Sequence, residues 1–353
     1  MSQQTIRIGF IGAGGIARQR HLPNLKRIPG IELAAVATRS LESAQQVAAE
    51  YGFARATNDW HELLAMPDID AVFIAAPPHV HAPATVAALD VGKHVFCQAR
   101  MAMNYEEAKA MYLASLRTDR RTMVCPAPHA LAGDNLVRKL IGEGYFGRLY
   151  QIHAHSLSAV YADPQAPLHW RQDAAISGLN VLNLGMLVEV LHRWFGYFSR
   201  VSGQLTTHIR HRRRPGHTEI VPVTVPDSVA VLAQMANGAQ AVMHFSGVTR
   251  FGGENRIEVY GSEGTMVYYP DTHRIMAARA YGSELKPMEI PPELRREWRA
   301  EADFIDAIRL GTPVSPTFYD GLKYMEFTEA VYRSAAHDSC AIELPLEELM
   351  GQT

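Results

Sequence analysis

The strongest constraint on the fold of this chain is a glycine-rich turn between an apolar run and a helical stretch. The apolar run is TIRIGFIG, residues 5–12, and the helical stretch is predicted over 17–27. Glycines in such a turn let backbone N–H groups approach a pyrophosphate, and the helix N-terminus adds positive potential and free donors. The pattern therefore predicts a dinucleotide site. Its predicted backbone contacts are Gly12, Gly14, Gly15 and Ile16.

The alternation of apolar runs and helical stretches continues to about residue 125. Strands that are separated by helices of crossover length form a parallel sheet. The sequence therefore predicts an α/β fold, with a dinucleotide-binding Rossmann domain over residues 1–124. The further predicted elements are strands at 31–38, 70–76, 93–97 and 122–127 and helices at 41–51 and 83–90.

The pattern changes beyond residue 125 to long alternating strands joined by hairpins. Asn237-Gly238 and Glu263-Gly264 are typical turn signals between such strands. Helices are predicted at 135–143, about 297–310 and 320–336. We therefore predict a second, α+β domain over residues 125–353 with a mostly antiparallel sheet.

Composition argues against several classes of function. The formal charge of −2 gives no overall attraction to nucleic acid or to an anionic membrane. No apolar run approaches the ~20 residues that cross a bilayer, and MSQQTIR leads into a strand without a signal-peptide core. Cys97, Cys125 and Cys340 are far apart and lack a C-x-x-C pair. We predict three core thiols in a cytoplasmic protein without structural zinc.

The end of the second strand bears on the choice of dinucleotide. An acidic residue there would bind a ribose 2′-hydroxyl, but this chain has Thr38, Arg39 and Ser40. A cation flanked by two hydroxyls favours a 2′-phosphate, so we predict NADP(H) ahead of NAD(H). A small residue at this position also accepts NAD, and both cofactors remain open.

Long segments of the chain resemble the Gfo/Idh/MocA family. The likeness is carried by the glycine turn, by AAPPHVHAPATVAALDVGKHVFCQARMA at 75–102, by GYFG at 144–147 and by GSEGT at 261–265. Members pair a Rossmann domain with an open-faced, mostly antiparallel sheet, and most oxidise or reduce sugars and cyclitols with nicotinamide cofactors. The resemblance implies a small carbohydrate-like substrate and, through the exposed sheet face, a homodimer or homotetramer.

The family's proton-handling residues are replaced in this chain. The Glu-Lys-Pro that follows the fourth strand in the family reads Gln98, Ala99 and Arg100, and the aspartate and histidine of the second-domain helix read Asn183 and Leu187. Because Ala99 cannot exchange a proton, acid–base chemistry must come from other groups. The residues that the resemblance places beside the cofactor are Pro77, His79 and Gln98.

The segment SAVYADPQAPLHWRQD, residues 158–173, carries the candidate replacements. Its prolines and length are typical of a connection that reaches a ligand. His169 is the first candidate for a base, since an ordinary histidine has a pKa near ~6.5, and Tyr161 is the second. Asn183 completes the candidate catalytic set. The predicted substrate contacts are Arg100, Trp170, Arg171 and Asn180.

Several charged or imidazole groups have two interpretations. Arg100 is either an anion clamp inside the pocket or a surface residue. The basic run 208–214 is either a solvated hairpin tip or a funnel for an anionic sugar. His79 and His81 are predicted at strand spacing on one side of the chain. Two imidazoles without a carboxylate or thiolate make a weak metal site, and we predict no metal.

Three functions fit these residues. The first is an NAD(P)-dependent oxidoreductase that acts on a carbohydrate or cyclitol carbinol. The second is a redox-neutral glycosidase or lyase that oxidises its sugar transiently. The third is a dinucleotide-binding sensor without chemistry. We rank the oxidoreductase first, because hydride transfer depends mainly on proximity and orientation, whereas missing acid–base help slows turnover by ~10²–10⁴.

Overall fold

The computed structural model describes residues 5–126 and 131–346, which fall into two compact units. One unit comprises Met1–Pro126 and Arg299–Met325, and the other comprises Ala127–Trp298 and Glu326–Thr353. The chain first passes from one unit to the other after Pro126, within two residues of the predicted boundary between 124 and 125. The structure differs from the predicted division into two unbroken segments, because Arg299–Met325 returns to the first unit.

The first unit contains a six-stranded sheet in which all neighbouring strands are parallel. Its spatial order is β3-β2-β1-β4-β5-β6. This is the doubly wound order of a Rossmann fold, so the predicted fold class of this unit is confirmed. The strands are β1 (Ile6–Ile11), β2 (Ile31–Ala37), β3 (Arg55–Thr57), β4 (Ala71–Ile74), β5 (His94–Cys97) and β6 (Thr122–Val124).

The helices between these strands begin and end at identifiable signals. Ser40 caps the N-terminus of one helix by accepting a hydrogen bond from Ser43 N, and Gly52 ends it with φ of +84°. The predicted helix at 17–27 opens with a π-helical turn, Ala17–His21, and ends at Leu25. The α-helices are α1 (Leu22–Leu25), α2 (Leu41–Tyr51), α3 (Trp60–Ala65), α4 (His81–Asp90) and α5 (Tyr105–Leu116).

The second unit contains a nine-stranded sheet with the order β16-β15-β14-β13-β7-β12-β11-β8-β17. All neighbours are antiparallel except β7 and β12, which confirms the prediction of a mostly antiparallel sheet. A separate hairpin joins β9 and β10. The strands are β7 (Leu149–Leu157), β8 (Phe198–Thr206), β9 (His211–Arg213), β10 (Ile220–Pro222), β11 (Ser228–Met235), β12 (Gln240–Ser246), β13 (Arg256–Gly261), β14 (Gly264–Tyr269), β15 (Arg274–Arg279), β16 (Lys286–Pro287) and β17 (Ile342–Glu343).

In the described part of the chain, five further α-helices follow α5, and the predicted helices near 297–310 and 320–336 are among them. Their bounds are α6 (Asp134–Gly142), α7 (Ala174–Ser177), α8 (Leu184–Phe195), α9 (Ala300–Leu310) and α10 (Phe318–Ala336).

Aromatic packing explains why α9 belongs to the first unit. Phe73 on β4 and Phe96 on β5 stack with 4.6 Å between ring centroids. Phe304 on α9 meets both rings edge-on, at 5.5 and 5.7 Å. All three side chains are buried. Burial of one such side chain contributes about 1.5–3 kcal/mol, so Phe304 ties α9 to the core of this sheet.

A buried ion cluster fixes α6 and α8 in the second unit. Asp134 accepts hydrogen bonds from Trp194 Nε1 at 2.8 Å and Arg296 Nη1 at 2.8 Å, and it also bonds Arg193. Glu189 holds the other side of the Arg193 guanidinium, with 2.9 Å between Nε and Oε1. The buried carboxylates of Asp134 and Glu189 are thus paired with arginines that are mostly shielded from solvent, and the cluster ties α6 to α8.

The cysteine prediction is confirmed for two residues and wrong for one. Cys97 and Cys125 are buried free thiols, and burial raises the pKa of both. Cys340 is exposed, because it follows the end of α10 in a turn instead of lying in a strand. Among the described residues, no helix combines the length and apolar character needed to cross a membrane.

Candidate dinucleotide and substrate sites

Gly12 packs against the backbone of Ala76, just after the end of the neighbouring strand β4. Its φ is +80°, and a Cβ added there would come within 2.5 Å of Ala76 Cα and N. Its own N–H donates to Ala37 O at 2.8 Å. A side chain is therefore excluded both by backbone conformation and by contact, which explains the glycine in physical terms.

Gly14 and Gly15 have the opposite surroundings. Both are exposed, and an added Cβ at either would meet no atom within 4 Å. Arg18 N donates to Gly14 O at 3.1 Å, so the helix begins directly at the turn, and Ile16 lies half-buried in its first residues. Open space over an exposed backbone at a helix start fits the pyrophosphate of a dinucleotide.

The end of β2 presents a cation without an acid. Thr38 Oγ1 donates to Ser40 O at 3.0 Å, and the Ser40 hydroxyl accepts the N–H of Ser43 at 3.3 Å. Arg39 is exposed, and within the described ranges no carboxylate lies within 4 Å of its guanidinium. These groups fit an anionic substituent near the N-terminus of α2.

The loop after β4 differs from the predicted strand-like spacing. Pro77 precedes a 3₁₀ turn, Pro78–Val80, and His79 is exposed on that turn. His81 begins α4 and is buried, with Nε2 2.7 Å from Ala76 O and Nδ1 3.0 Å from Arg100 O. Burial lowers the pKa of His81. The two imidazoles therefore do not share one side, because helical backbone replaces the extended backbone that the spacing suggested.

Two residues of the first unit that sequence reasoning missed lie directly behind Gln98. His21 Nε2 is 2.7 Å from Gln98 Oε1, and His21 Nδ1 is 2.5 Å from Glu301 Oε1. Asn24 Nδ2 donates to the other carboxylate oxygen of Glu301 at 3.1 Å. His21 and Glu301 are buried, whereas Gln98 is half-exposed. A buried imidazole–carboxylate pair thus holds one end of the Gln98 amide.

The histidine in RHLPNL gave no distinctive signal, and Glu301 is 280 residues away in the sequence. The fold brings these two side chains together, so the His21–Glu301 pair could not be predicted from the spacing of residues in the sequence.

Arg100 is buried, with 7% of its surface exposed. The alternative that it is a surface residue is therefore wrong, because the turn after Ala99 directs it into the protein. Ala99 is half-buried and supplies no polar atom beyond its backbone.

The loop 158–173 of the second unit groups four of the predicted residues. The rings of Tyr161 and His169 are 6.4 Å apart, and those of His169 and Trp170 are 5.6 Å apart. The Arg171 guanidinium lies over the Trp170 ring at 4.2 Å. Two aromatic rings, an imidazole and a guanidinium thus form one cluster, which we call the loop cluster (Tyr161, His169, Trp170, Arg171).

His169 also has a structural task. Its Nδ1 accepts the N–H of Arg171 at 3.2 Å, capping the 3₁₀ turn Trp170–Gln172. Partial burial of the ring and the nearby Arg171 charge lower the pKa of His169. The neutral ring with Nδ1 as acceptor carries its hydrogen on Nε2. To accept a proton at Nε2, the ring must move that hydrogen to Nδ1 and give up the cap, at a cost of about 1 kcal/mol.

The two predicted site asparagines, Asn180 and Asn183, differ in burial. Asn180 is buried, and its Nδ2 donates to Ser177 O at 2.7 Å. Asn183 is exposed just before α8, and its Nδ2 donates to Ser156 Oγ at 3.1 Å. Leu187, one turn further on, is buried. The structure therefore presents Asn183 to solvent but not Asn180.

The basic run 208–214 is neither wholly solvated nor a simple funnel. Arg210, Arg213 and Arg214 are exposed, whereas Arg212 on β9 is buried. Its guanidinium bonds three carbonyl oxygens of the loop 158–173. Within the described ranges, no group of three or more His, Cys, Asp or Glu side chains is placed to hold a metal ion.

Comparison with known proteins decides the family. A profile of the oxidoreductase family GFO_IDH_MocA, with an NAD-binding Rossmann fold, matches residues 6–125, and a GFO/IDH/MocA C-terminal domain profile matches 135–267. The chain belongs to the Gfo/Idh/MocA family. It is an oxidoreductase whose first unit fits NAD(P), as the open glycine turn indicates.

Members of the family align with nearly the whole chain. A levoglucosan dehydrogenase from Pseudarthrobacter phenanthrenivorans is 30% identical, covering 95% of this chain and 97% of that protein. An inositol 2-dehydrogenase from Rhizobium meliloti is 28% identical, covering 94% and 97%. A solved levoglucosan dehydrogenase in complex with NADH and L-sorbose has a TM-score of 0.84 at 27% identity, covering 97% and 99%.

Proposed function

We propose that this protein catalyses NAD(P)-dependent oxidation or reduction at a carbinol carbon of a carbohydrate or cyclitol. The observation that carries the proposal is the turn at Gly12–Gly15. Gly12 has no room for a side chain, whereas Gly14 and Gly15 face open space. Full-length likeness to a levoglucosan dehydrogenase supports a sugar substrate. Incubation with NAD⁺ or NADP⁺ and a panel of sugars, cyclitols and anhydrosugars tests it. Absence of reduced cofactor with every compound would contradict it.

The nicotinamide cofactor, when bound, supplies the hydride acceptor, and the protein supplies binding and orientation. We assign the exposed amides at Gly14 and Gly15 to the pyrophosphate, and Thr38, Arg39 and Ser40 to the adenosine ribose. Gln98, held from behind by His21, contributes a fixed amide at the end of β5. Pro77 and His79 line the same edge of the parallel sheet, since β4 and β5 are neighbours.

The loop cluster is assigned to the substrate. His169 is the proposed proton acceptor for the reacting hydroxyl, with Tyr161 as the second choice and Asn183 as a hydrogen-bonding partner. Trp170 offers an apolar ring face of the kind on which sugars stack. Arg100 is assigned to an anionic or oxygen-rich part of the substrate, because a guanidinium stays charged when buried.

An acidic sugar is the favoured substrate within this class. Arg171 has no carboxylate within 4 Å in the described part of the chain, and the exposed Arg210 at the start of the nearby hairpin adds a second positive charge. A uronate or sugar phosphate would neutralise this charge. Higher kcat/KM for such a compound than for its neutral counterpart, with the difference shrinking at high salt, is the expected result.

A redox-neutral elimination or hydrolysis is the second candidate. It is favoured by the replacement of the family's lysine, aspartate and histidine by Ala99, Asn183 and the buried Leu187. Product formation with catalytic cofactor and no net change in reduced-nicotinamide absorbance would identify this route. Tight cofactor binding with neither result would identify a sensor.

We also propose that the protein is cytoplasmic and forms a homodimer or homotetramer through the open face of its large sheet. Leu232 on β11 and Val242 on β12 are exposed on paired strands, which is typical of a face covered by a second copy. Light scattering at micromolar concentration tests this. A monomer would contradict it.

A further inference from the structure

Arg212 stands apart from the rest of the basic run. It is 2% exposed, while its neighbours His211 and Arg213 are exposed. Moving a guanidinium out of water costs several kcal/mol unless its N–H groups find acceptors. The second unit therefore buries the charged Arg212 guanidinium at a cost in desolvation free energy. The hydrogen bonds of this group indicate its role.

In the described part of the chain, the side-chain hydrogen bonds of Arg212 all go to one loop. Nη2 donates to Tyr161 O at 2.5 Å, and Nη1 donates to Asp163 O at 2.7 Å and Ala166 O at 3.0 Å. Within the described residues, no carboxylate lies within 4 Å of this guanidinium. The planar fork of an arginine thus fixes three carbonyls across six residues that form no helix or strand.

The β9–β10 hairpin and the segment directly after it also bond the loop on both sides of residues 169–171. Leu168 N donates to Arg213 O at 2.8 Å, and Thr224 N donates to Gln172 O at 3.0 Å. His169, Trp170 and Arg171 lie between these two anchor points. The base of the hairpin is fixed in turn by Asp227, whose carboxylate accepts the N–H groups of His208 and Ile209 at 2.9 and 3.0 Å.

Tyr161 is fixed from a third direction. Its N–H donates to Gly247 O at 2.7 Å, and a Cβ added at Gly247 would come within 2.5 Å of the Tyr161 ring. The ring therefore packs directly on the backbone at Gly247, while its carbonyl is held by Arg212. Release of that carbonyl would loosen the start of the loop, where Tyr161 meets His169.

We infer that Arg212 is a positioning residue for the substrate: its buried guanidinium sets the shape of the loop 158–173 and thereby the placement of the loop cluster. The inference rests on the proposed function, because it takes this loop as the substrate-facing one. Displacement of reacting groups by about 1 Å lowers rates by up to about 10²-fold, so the expected kinetic effect is large.

The test compares three variants of the full-length protein. Arg212→Met removes the donors but keeps an unbranched side chain, and Arg212→Lys keeps the charge and part of the bonding. Arg213→Met is the matched control, because Arg213 is exposed on the same strand. The measurements are kcat and KM with levoglucosan as the probe sugar, the NADH dissociation constant, and hydrogen–deuterium exchange of the amides in 158–173.

For Arg212→Met we expect kcat/KM to fall by about 10²-fold with NADH affinity unchanged within about twofold, together with faster exchange in the loop. Arg212→Lys should recover part of both effects, and Arg213→Met should match the wild type. An Arg212→Met protein with normal kcat/KM, or an equal loss in Arg213→Met, would overturn the inference.

The two proposals fail in different ways. A wild type that turns over no sugar contradicts the proposed function, whereas exchange in the loop is measured without turnover. If loop exchange is the same in wild type and Arg212→Met, the inference about Arg212 is wrong whatever the activity.

Discussion

The candidate cofactor-binding residues of the first unit and the loop cluster of the second unit are held by different means. In the first unit, Gly12 and Gln98 follow strands of the parallel sheet, and the buried His21 fixes the Gln98 amide. In the second unit, the loop cluster lies on irregular backbone that is shaped by Arg212 from another hairpin. A site on strand ends inherits its geometry from the sheet, whereas a site on a loop depends on a few long-range hydrogen bonds.

The largest expected effect that tests this contrast is at His21. His21→Leu leaves the buried Glu301 carboxylate without its imidazole, and we expect a loss of about 3–5 kcal/mol in the free energy of unfolding. Urea denaturation measures it. The double variant His21→Leu/Glu301→Leu should regain most of the stability, because two apolar groups replace the pair. A single variant as stable as the wild type would remove the basis for calling the surroundings of Gln98 in the first unit rigid.

A pair of glycine variants should separate folding from binding. Gly12→Ala forces a Cβ against Ala76 at a φ of +80°, so we expect about 2–3 kcal/mol of destabilisation and loss of NADH binding. Gly14→Ala meets nothing within 4 Å, so its unfolding curve should match the wild type while NADH binds more weakly. Fluorescence titration and urea denaturation give the two results, and equal stability of both variants would contradict the geometry.

The cofactor preference should change at Arg39. Since no carboxylate of the described residues pairs with its guanidinium, Arg39→Ala should weaken NADPH binding by about tenfold, which is the contribution of one charged hydrogen bond, and leave NADH binding nearly unchanged. Parallel titrations with the two cofactors measure it. Equal effects on both would show that the end of β2 does not select a 2′-phosphate.

The smallest expected effect is on the pH dependence of kcat/KM, which tests His169 in the loop cluster. His169 can act as a base only while its ring is neutral, and its pKa is lowered. We therefore expect kcat/KM for oxidation to stay level as the pH falls from 8 to below the ordinary histidine range. It should fall only in more acidic solution. Arg171→Gln removes a charge that lowers this pKa, so the acidic limb should move to higher pH. Arg210→Gln is the control. A limb that does not move in Arg171→Gln would argue against His169.

Sequence reasoning predicted more of the cofactor-binding residues of the first unit than of the loop cluster in the second unit. The glycine turn and the strand order follow from local patterns, because hydrophobic runs, glycines and helix lengths are read over a few residues. His21 and Glu301 were missed because 280 residues separate two side chains that carry no motif.

In the second unit the loop was identified by its prolines, but its support was not. Arg212 was read as part of a charged hairpin tip, since a run of arginines is normally solvated. Which member of such a run turns inward depends on carbonyls 46 to 51 residues earlier. The burial of Asn180 could not be predicted either, because spacing along a turn does not report burial.

The return of Arg299–Met325 to the first unit has a consequence for synthesis on the ribosome. The nucleotide-binding sheet leaves the exit tunnel early, yet Phe304 and Glu301 are translated some two hundred residues later. Until then Phe73 and Phe96 lack the edge-on ring of Phe304, and His21 lacks the carboxylate of Glu301. A fragment truncated after Pro126 should therefore be aggregation-prone, and the nascent chain should need protection until translation is almost complete.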